Sequence, residues 1–244
     1  LGNGVSTFYE YWGLDHTETG LPANSQFGKL WQITTEDASD TAIQQVRHNW
    51  DPGGNLFCRK DMITEDTEFF TYDPLDRLET VTATGGSGGE LESYGKIYRY
   101  SPIGNITEMN GKTYTYDSDR PHAVTSVGTT TYDYDANGNM TWRGSENQAI
   151  TWDAENMPST ISGPNGTATF VYDGDGNRVV KTENNQSILY VNKYFEKNLT
   201  TGEEICYYYL GGRRIAFKKG YEPEYTHEDH LTGTSLTTDE NGDE

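Results

Sequence analysis

Two cysteines, Cys58 and Cys206, are all that these 244 residues contain. They permit at most one disulfide and no CxxC centre, so neither a disulfide framework nor a cysteine metal site can organise the chain. Positive charge is equally scarce: 18 Lys plus Arg stand against 38 Asp plus Glu, a net charge of -20. That balance repels phosphate backbones and anionic lipid, which argues against nucleic-acid partners and membrane-surface binding. No apolar run approaches the roughly 20 residues of a membrane helix, and no h-region stands at the N-terminus. Aliphatic side chains are few. Leu, Ile, Val and Phe total 41 and the mean hydropathy is -0.82, a level at which so charged a chain is a candidate for disorder.

What the sequence does have argues the other way. It carries 18 Tyr and 5 Trp, and each buried ring removes roughly 150–250 Å² from water. Many of these rings fall in a repeat. "NWDPGGNLFCRK" begins at Asn49, "TYDPLDRLETV" at Thr71, "RYSPIGNITEM" at Arg99, "TYDSDRPHAVTSV" at Thr115, "DYDANGNMTWR" at Asp133, "TWDAENMPSTI" at Thr151 and "VYDGDGNRVVK" at Val171. The shared order is an aromatic, Asp, a turn residue, any residue, Gly, Asp or Glu, then Asn or Arg, then an apolar residue. Anchored on the Asp position, the steps are 22, 28, 16, 18, 18 and 20 residues, which suits hairpins with outer loops of different length better than rigid solenoid rungs.

The local pattern is that of strands. Tyr132 and Tyr134 are two apart and share one strand face, while Asp133 takes the other; Met140 and Trp142 repeat the alternation beyond the turn. Between them Asp135 can accept backbone amide hydrogens two residues on, and Asn137-Gly138 tolerates positive φ. Each repeat reads as strand, tight turn, strand. The residues that carry it are Trp50 and Asp51, Tyr72 and Asp73, Tyr100, Tyr116 and Asp117, Tyr134 with Asp135, Gly138 and Asn139, Trp152 and Asp153, and Tyr172 with Asp173, Gly176 and Asn177. The stretch "DTAIQQVRHNW" from Asp40 comes nearest to a helical period, but little or no helix is expected. "GGSGG", residues 85–89, reads as a long loop between hairpins.

Several stretches invite a chemical reading. Asp133, Asp135, Asn137 and Gly138 match the first half of a calcium loop, but Gly144 stands where the bidentate Glu belongs and the flanks alternate like strands. "HEDH", residues 227–230, brings two imidazoles and carboxylates together without a further cluster to complete a metal shell. No carboxylate pair stands out for hydrolysis, and there is no G-x-S-x-G elbow, P-loop or Cys-His dyad. Neither a catalytic residue, a cofactor nor a metal is assigned. "LGGRRIAFKKG" from Leu210 gathers four cations, read as partners of cross-strand carboxylates or, more sharply, as a docking patch for an anionic partner.

As a series, and with "YDYDANGN" and "VYDGDGNRVVK" as its strongest members, the repeats resemble the YD repeats of the RHS family, which includes bacterial RHS and wall-associated proteins, the C subunits of insecticidal toxin complexes and the teneurins. "YVNKYFEK", "YYYLGGRRIAF" and "HEDHLTGTSLTTDENGD" are similar to the segments leading into the RHS-associated core, with Asp229, His230 and Leu231 matching the family's Asp-His-Leu; where the family continues Gly-Ser, this chain has Thr232-Gly233. The resemblance implies an all-β fold: successive antiparallel hairpins in a curved, spiralling sheet, part of a hollow shell around a C-terminal toxin. It implies irregular N-terminal repeats over residues 1–43, YD repeats over 44–225 and the start of the core region over 226–244. The family's aspartyl self-cleavage activity belongs to a tyrosine-rich core with an Asp-Pro motif that these residues do not include, and the start at Leu1 suggests a piece of a longer protein.

The expected role is therefore a non-enzymatic shell-wall segment, secreted or on the cell surface of a bacterium, whose partners are the rest of its parent polypeptide and the enclosed toxin. Free sheet edges are expected to favour self-association. The rival reading is a carbohydrate-binding or adhesion module, because a face rich in Tyr and Trp can stack on sugar rings.

Overall fold

A computed structural model describes residues 3–13, 27–86, 91–229 and 231–243. His16 and His230, and the centre of the glycine-rich stretch, lie outside the described residues. Among the described residues there are twenty-two strands and no helix, the strands belonging to one antiparallel sheet. The stretch from Asp40 that came nearest to a helical period is largely strand. Two compact units can be distinguished, one of residues 1–99, 209–216 and 222–244, the other of residues 100–208 and 217–221.

The first unit opens with a meander: β1 (Ser6–Tyr11), β2 (Leu30–Glu36), β3 (Ala42–Trp50), β4 (Leu56–Asp61), β5 (Thr67–Tyr72), β6 (Leu78–Thr84) and β7 (Tyr94–Tyr100). Successive strands pair in register, for example Phe8 with Thr34, Ile33 with Val46, and His48 with Arg59. The second unit continues it through β8 (Ile106–Met109), β9 (Lys112–Tyr116), β10 (Val124–Val127), β11 (Thr130–Tyr134), β12 (Met140–Arg143), β13 (Gln148–Trp152), β14 (Pro158–Gly163), β15 (Gly166–Tyr172), β16 (Arg178–Glu183), β17 (Gln186–Asn192), β18 (Phe195–Asn198) and β19 (Glu204–Leu210). After β20 (Arg213–Lys219) the chain ends in a hairpin of β21 (Glu222–Glu228) and β22 (Thr234–Thr238), which belongs to the first unit.

Burial is unevenly shared. In the first unit Val5, Trp12, Ile33, Val81 and Leu236 are buried together with polar Thr35, His48, Thr226, His227 and Thr238. In the second unit only Ile150 and Ala168 are buried among the described residues, and the face that carries the repeat aromatics is half covered. With so little apolar area removed from water, cross-strand hydroxyl pairs take a larger part: Thr151 with Ser159 at 2.9 Å, Ser162 with Thr167 at 3.1 Å and Thr182 with Ser187 at 2.8 Å. Arg178 lies 4.5 Å over the ring of Tyr190, adding a cation–π contact on the same sheet.

Candidate functional site

The repeat is a device with two parts, a turn and a latch. In the turn, the Asp Oδ1 accepts two backbone amides at once. Asp135 takes Asn137 N and Asn139 N, both at 2.9 Å; Asp51, Asp73, Asp153 and Asp173 head their turns in the same way. The backbone closes around them, with Asp135 N donating to Asn139 O and Gly138 N to Asp135 O. The residue three after the Asp must then take positive φ, as Gly138 does at 90°, which gives the type I turn with a bulge typical of short hairpins.

At four of the turns the side chain of the residue four after the Asp also binds its second oxygen. Asn139 Nδ2 donates to Asp135 Oδ2 at 3.0 Å and Asn177 Nδ2 to Asp173 Oδ2 at 3.1 Å, while Arg77 does the same for Asp73 through Nε at 2.7 Å. This explains why Asn and Arg alternate there. Backbone and side-chain donors hold the carboxyls of Asp173 and Asp117 below the usual carboxylate range, led by the amides of Asn177 and Asp119. Both oxygens of Asp135 face donors of its own turn, and among the described residues no group of three or more His, Cys, Asp or Glu stands together as a metal cluster.

The latch is the aromatic just before the Asp. It sits at a register shift, opposite the residue five after the Asp: Tyr134 against Met140, Trp152 against Pro158, Tyr172 against Arg178. Such a bulge re-aims the side chain. The ring reaches back to the hairpin before, where its polar atom donates to the first carbonyl of the outgoing strand. Within the first unit Trp50 Nε1 reaches Leu30 O at 2.7 Å and Tyr72 Oη reaches Leu56 O at 2.9 Å. Within the second, Tyr116 reaches Ile106 O (2.7 Å), Tyr134 Val124 O (3.0 Å), Trp152 Met140 O (2.8 Å) and Tyr172 Pro158 O (3.0 Å). Tyr and Trp are interchangeable here because each offers an apolar body with one donor at its end. Burial raises the phenol pKa of Tyr116, Tyr134 and Tyr172.

The turn recurs where the sequence pattern had not placed it. Asp37, Asp229 and Asp239 each accept amides two and four residues on, and positive φ falls three residues later at Asp40, Thr232 and Gly242. The signal was present as "DASDT", "DHLTG" and "DENGD", without an aromatic in front of the Asp. Leu231 is exposed on the second of these turns. Tyr100 closes β7 ahead of a variant in which Ser101 Oγ replaces the carboxylate and accepts Asn105 N at 3.1 Å. At Asp117 the loop is longer, its backbone N reaching Ala123 O; Pro121 has no amide hydrogen to give the carboxylate, and Oδ1 accepts Asp119 N and Arg120 N instead.

Other candidates are committed elsewhere. Cys58, buried on β4, and Cys206, half-buried on β19, are not joined by a disulfide. A cavity of about 450 Å³ in the first unit is lined partly by Asp61, Asp66, Glu68 and Asp229. Asp61 caps Ile63 N and Thr64 N, Asp66 accepts Gly86 N, Asp229 caps Leu231 N and Gly233 N, and Glu68 holds Arg59 and the Tyr94 hydroxyl. Of the basic stretch, Arg213 lies 3.5 Å from Glu228 and Lys219 lies 3.3 Å from Glu203, the cross-strand pairing that the acidic neighbours favour.

No family model and no curated protein matches this chain. Solved structures do. A crystal structure of TcdB2-TccC3 superposes on 99% of the chain with a TM-score of 0.73 and 20% identity. The fold is that of the RHS-type YD-repeat proteins. A TcdB2-TccC3-Cdc42 crystal structure gives a TM-score of 0.72 at 20% identity, and a Photorhabdus luminescens Tc holotoxin pore with a mutated TccC3 gives 0.73 at 19%. The chain spans 14% of the length of each of these two chains and 15% of the first. At this level of identity the likeness shows the fold. Among the described residues no helix is long and apolar enough to cross a membrane.

Proposed function

We infer that this chain is a length of shell wall: a non-enzymatic stretch of YD-repeat sheet in a larger, secreted or surface-exposed RHS-type protein that encloses a toxin or effector polypeptide. The observation that carries this reading is the turn-and-latch repeat. It uses its carboxylates and aromatic donors internally, hairpin after hairpin, so its product is a continuous sheet rather than a reactive centre. The superposition on toxin-complex chains over nearly the whole length supports it.

The test is limited proteolysis of the parent polypeptide, followed with an antibody to its C-terminal portion. That portion should resist digestion in the intact protein and become sensitive when latch residues Tyr134, Trp152 and Tyr172 are replaced together by alanine. Equal digestion of both forms would overturn the assignment. An adhesin-type reading draws on the exposed rings of Tyr194, Tyr208 and Tyr221. Saturable quenching of fluorescence by a polysaccharide, lost when these three are replaced by alanine, would favour it over the wall.

A further inference from the structure

Where the first and last hairpins of the first unit meet lies a histidine that the turn-and-latch repeat does not use. His227, in β21 opposite Leu236, is 2% exposed. Its Nδ1 lies 2.9 Å from Thr7 Oγ1 in β1, and its Nε2 lies 3.0 Å from Thr238 Oγ1 in β22. The hydrogens can be assigned from the two ends of this network. At one end Gln44 Oε1, an acceptor only, takes the Thr35 hydroxyl hydrogen at 3.4 Å. Thr35 and Thr7 are 3.1 Å apart, so Thr7 donates to Thr35 and itself receives Nδ1–H of His227. At the other end Asn3 accepts Val5 N through Oδ1 and donates through Nδ2 to Thr238 Oγ1 at 3.0 Å and Asp239 O at 2.7 Å. Thr238 therefore gives its one hydrogen to His227 Nε2.

The neutral imidazole with its hydrogen on Nδ1 is the form in which every member has a partner of the right kind. A second proton on Nε2 would set donor against donor and push the hydroxyl hydrogen of Thr238, itself 1% exposed, toward a buried position without a paired acceptor. We propose that His227 is an acid-sensitive latch: neutral, it completes a one-way hydrogen-bond relay that ties the first hairpin to the last, and protonated it breaks that relay and loosens the seam.

The surroundings offer the imidazolium little. A cavity of about 380 Å³ beside the ring is lined by Tyr9 of β1, Arg213 and Arg214 of β20 and Glu228 of β21. The Glu228 carboxylate is matched by Arg213 at 3.5 Å, and the Tyr9 hydroxyl donates to the Glu228 carbonyl at 3.0 Å. β2 and β3 present neutral Thr35 and Gln44; beyond β22, Asp239 Oδ1 accepts the amides of Asn241 and Asp243. Burial lowers the pKa of His227 from its ordinary 6.5. The unfolded chain therefore takes up the proton first. The seam is fully stabilised above about pH 6.5 and weakens as pH falls from there toward the lower folded-state value.

The test uses the full chain and hydrogen exchange at the amides of Thr226 and Thr238. Corrected for intrinsic rates, the opening constant of the seam should rise by up to about tenfold per pH unit below the ordinary histidine value. His227→Gln, which donates and accepts but does not titrate, should flatten that dependence, and NMR titration of the unmodified protein should place the His227 ring midpoint below 6.5. A midpoint at or above 6.5 overturns the proposal, as does a pH dependence that survives in a folded His227→Gln; should that variant not fold, the ring titration decides alone.

Discussion

Replacing Tyr116, Tyr134 and Tyr172 by phenylalanine, singly and together, isolates the polar half of the latch, because each ring keeps its place and loses one donor. The three hydroxyls lie 2.7, 3.0 and 3.0 Å from their carbonyls. A hydrogen bond of this kind contributes about 1 kcal/mol net, within a span of about 0.5–1.5. Because each belongs to a different repeat and shares no partner with the others, their effects should add, giving about 3 kcal/mol for the triple variant. Urea unfolding followed by tryptophan fluorescence measures this directly. The midpoint should fall stepwise with the slope unchanged, and the melting temperature should drop by roughly 2–4 °C for each kcal/mol. If the triple variant lies within about 0.5 kcal/mol of the parent, the aromatic acts only through its ring and the latch is not a hydrogen-bonding device.

Other outcomes follow from the turn. Thr232, β-branched at φ 66°, stands where a positive-φ residue is required; Thr232→Gly should stabilise the chain by about 1 kcal/mol in the same assay. Asp135→Ala should raise the exchange rates of the Asn137 and Asn139 amides, and millimolar calcium should leave the melting temperature of the parent unchanged. The lowered pKa of Asp173 means that its turn is stabilised above the ordinary carboxylate value of about 4 and loses that contribution as pH falls through the folded-state value; the Asn177 amide shift should report the step. At high pH the sign reverses for Tyr134. Its raised pKa leaves the fold at full strength below about 10 and weakens it above, so absorbance titration should show this phenol ionising later than an exposed one.

The sequence by itself determined what is local. Side-chain alternation at a spacing of two, together with Asp followed by turn residues and an Asn or Arg, gives hairpins wherever it occurs, because the donors and acceptors involved lie within five residues of one another. The same local reasoning read the acidic corner at Asp135 as a hairpin turn, which is what the structure shows. It missed Asp37, Asp229 and Asp239 because those turns lack the preceding aromatic. Only the tertiary structure decided what the aromatics are for, since the carbonyl that Tyr72 or Tyr172 reaches belongs to a different hairpin, and a bulge has to turn the ring toward it. The seam at His227 is more distant still: Thr7 and Thr238 are 231 positions apart in the chain, yet one imidazole joins them. No pattern of neighbours in sequence encodes that meeting, which depends on where the strands between them bring the last hairpin.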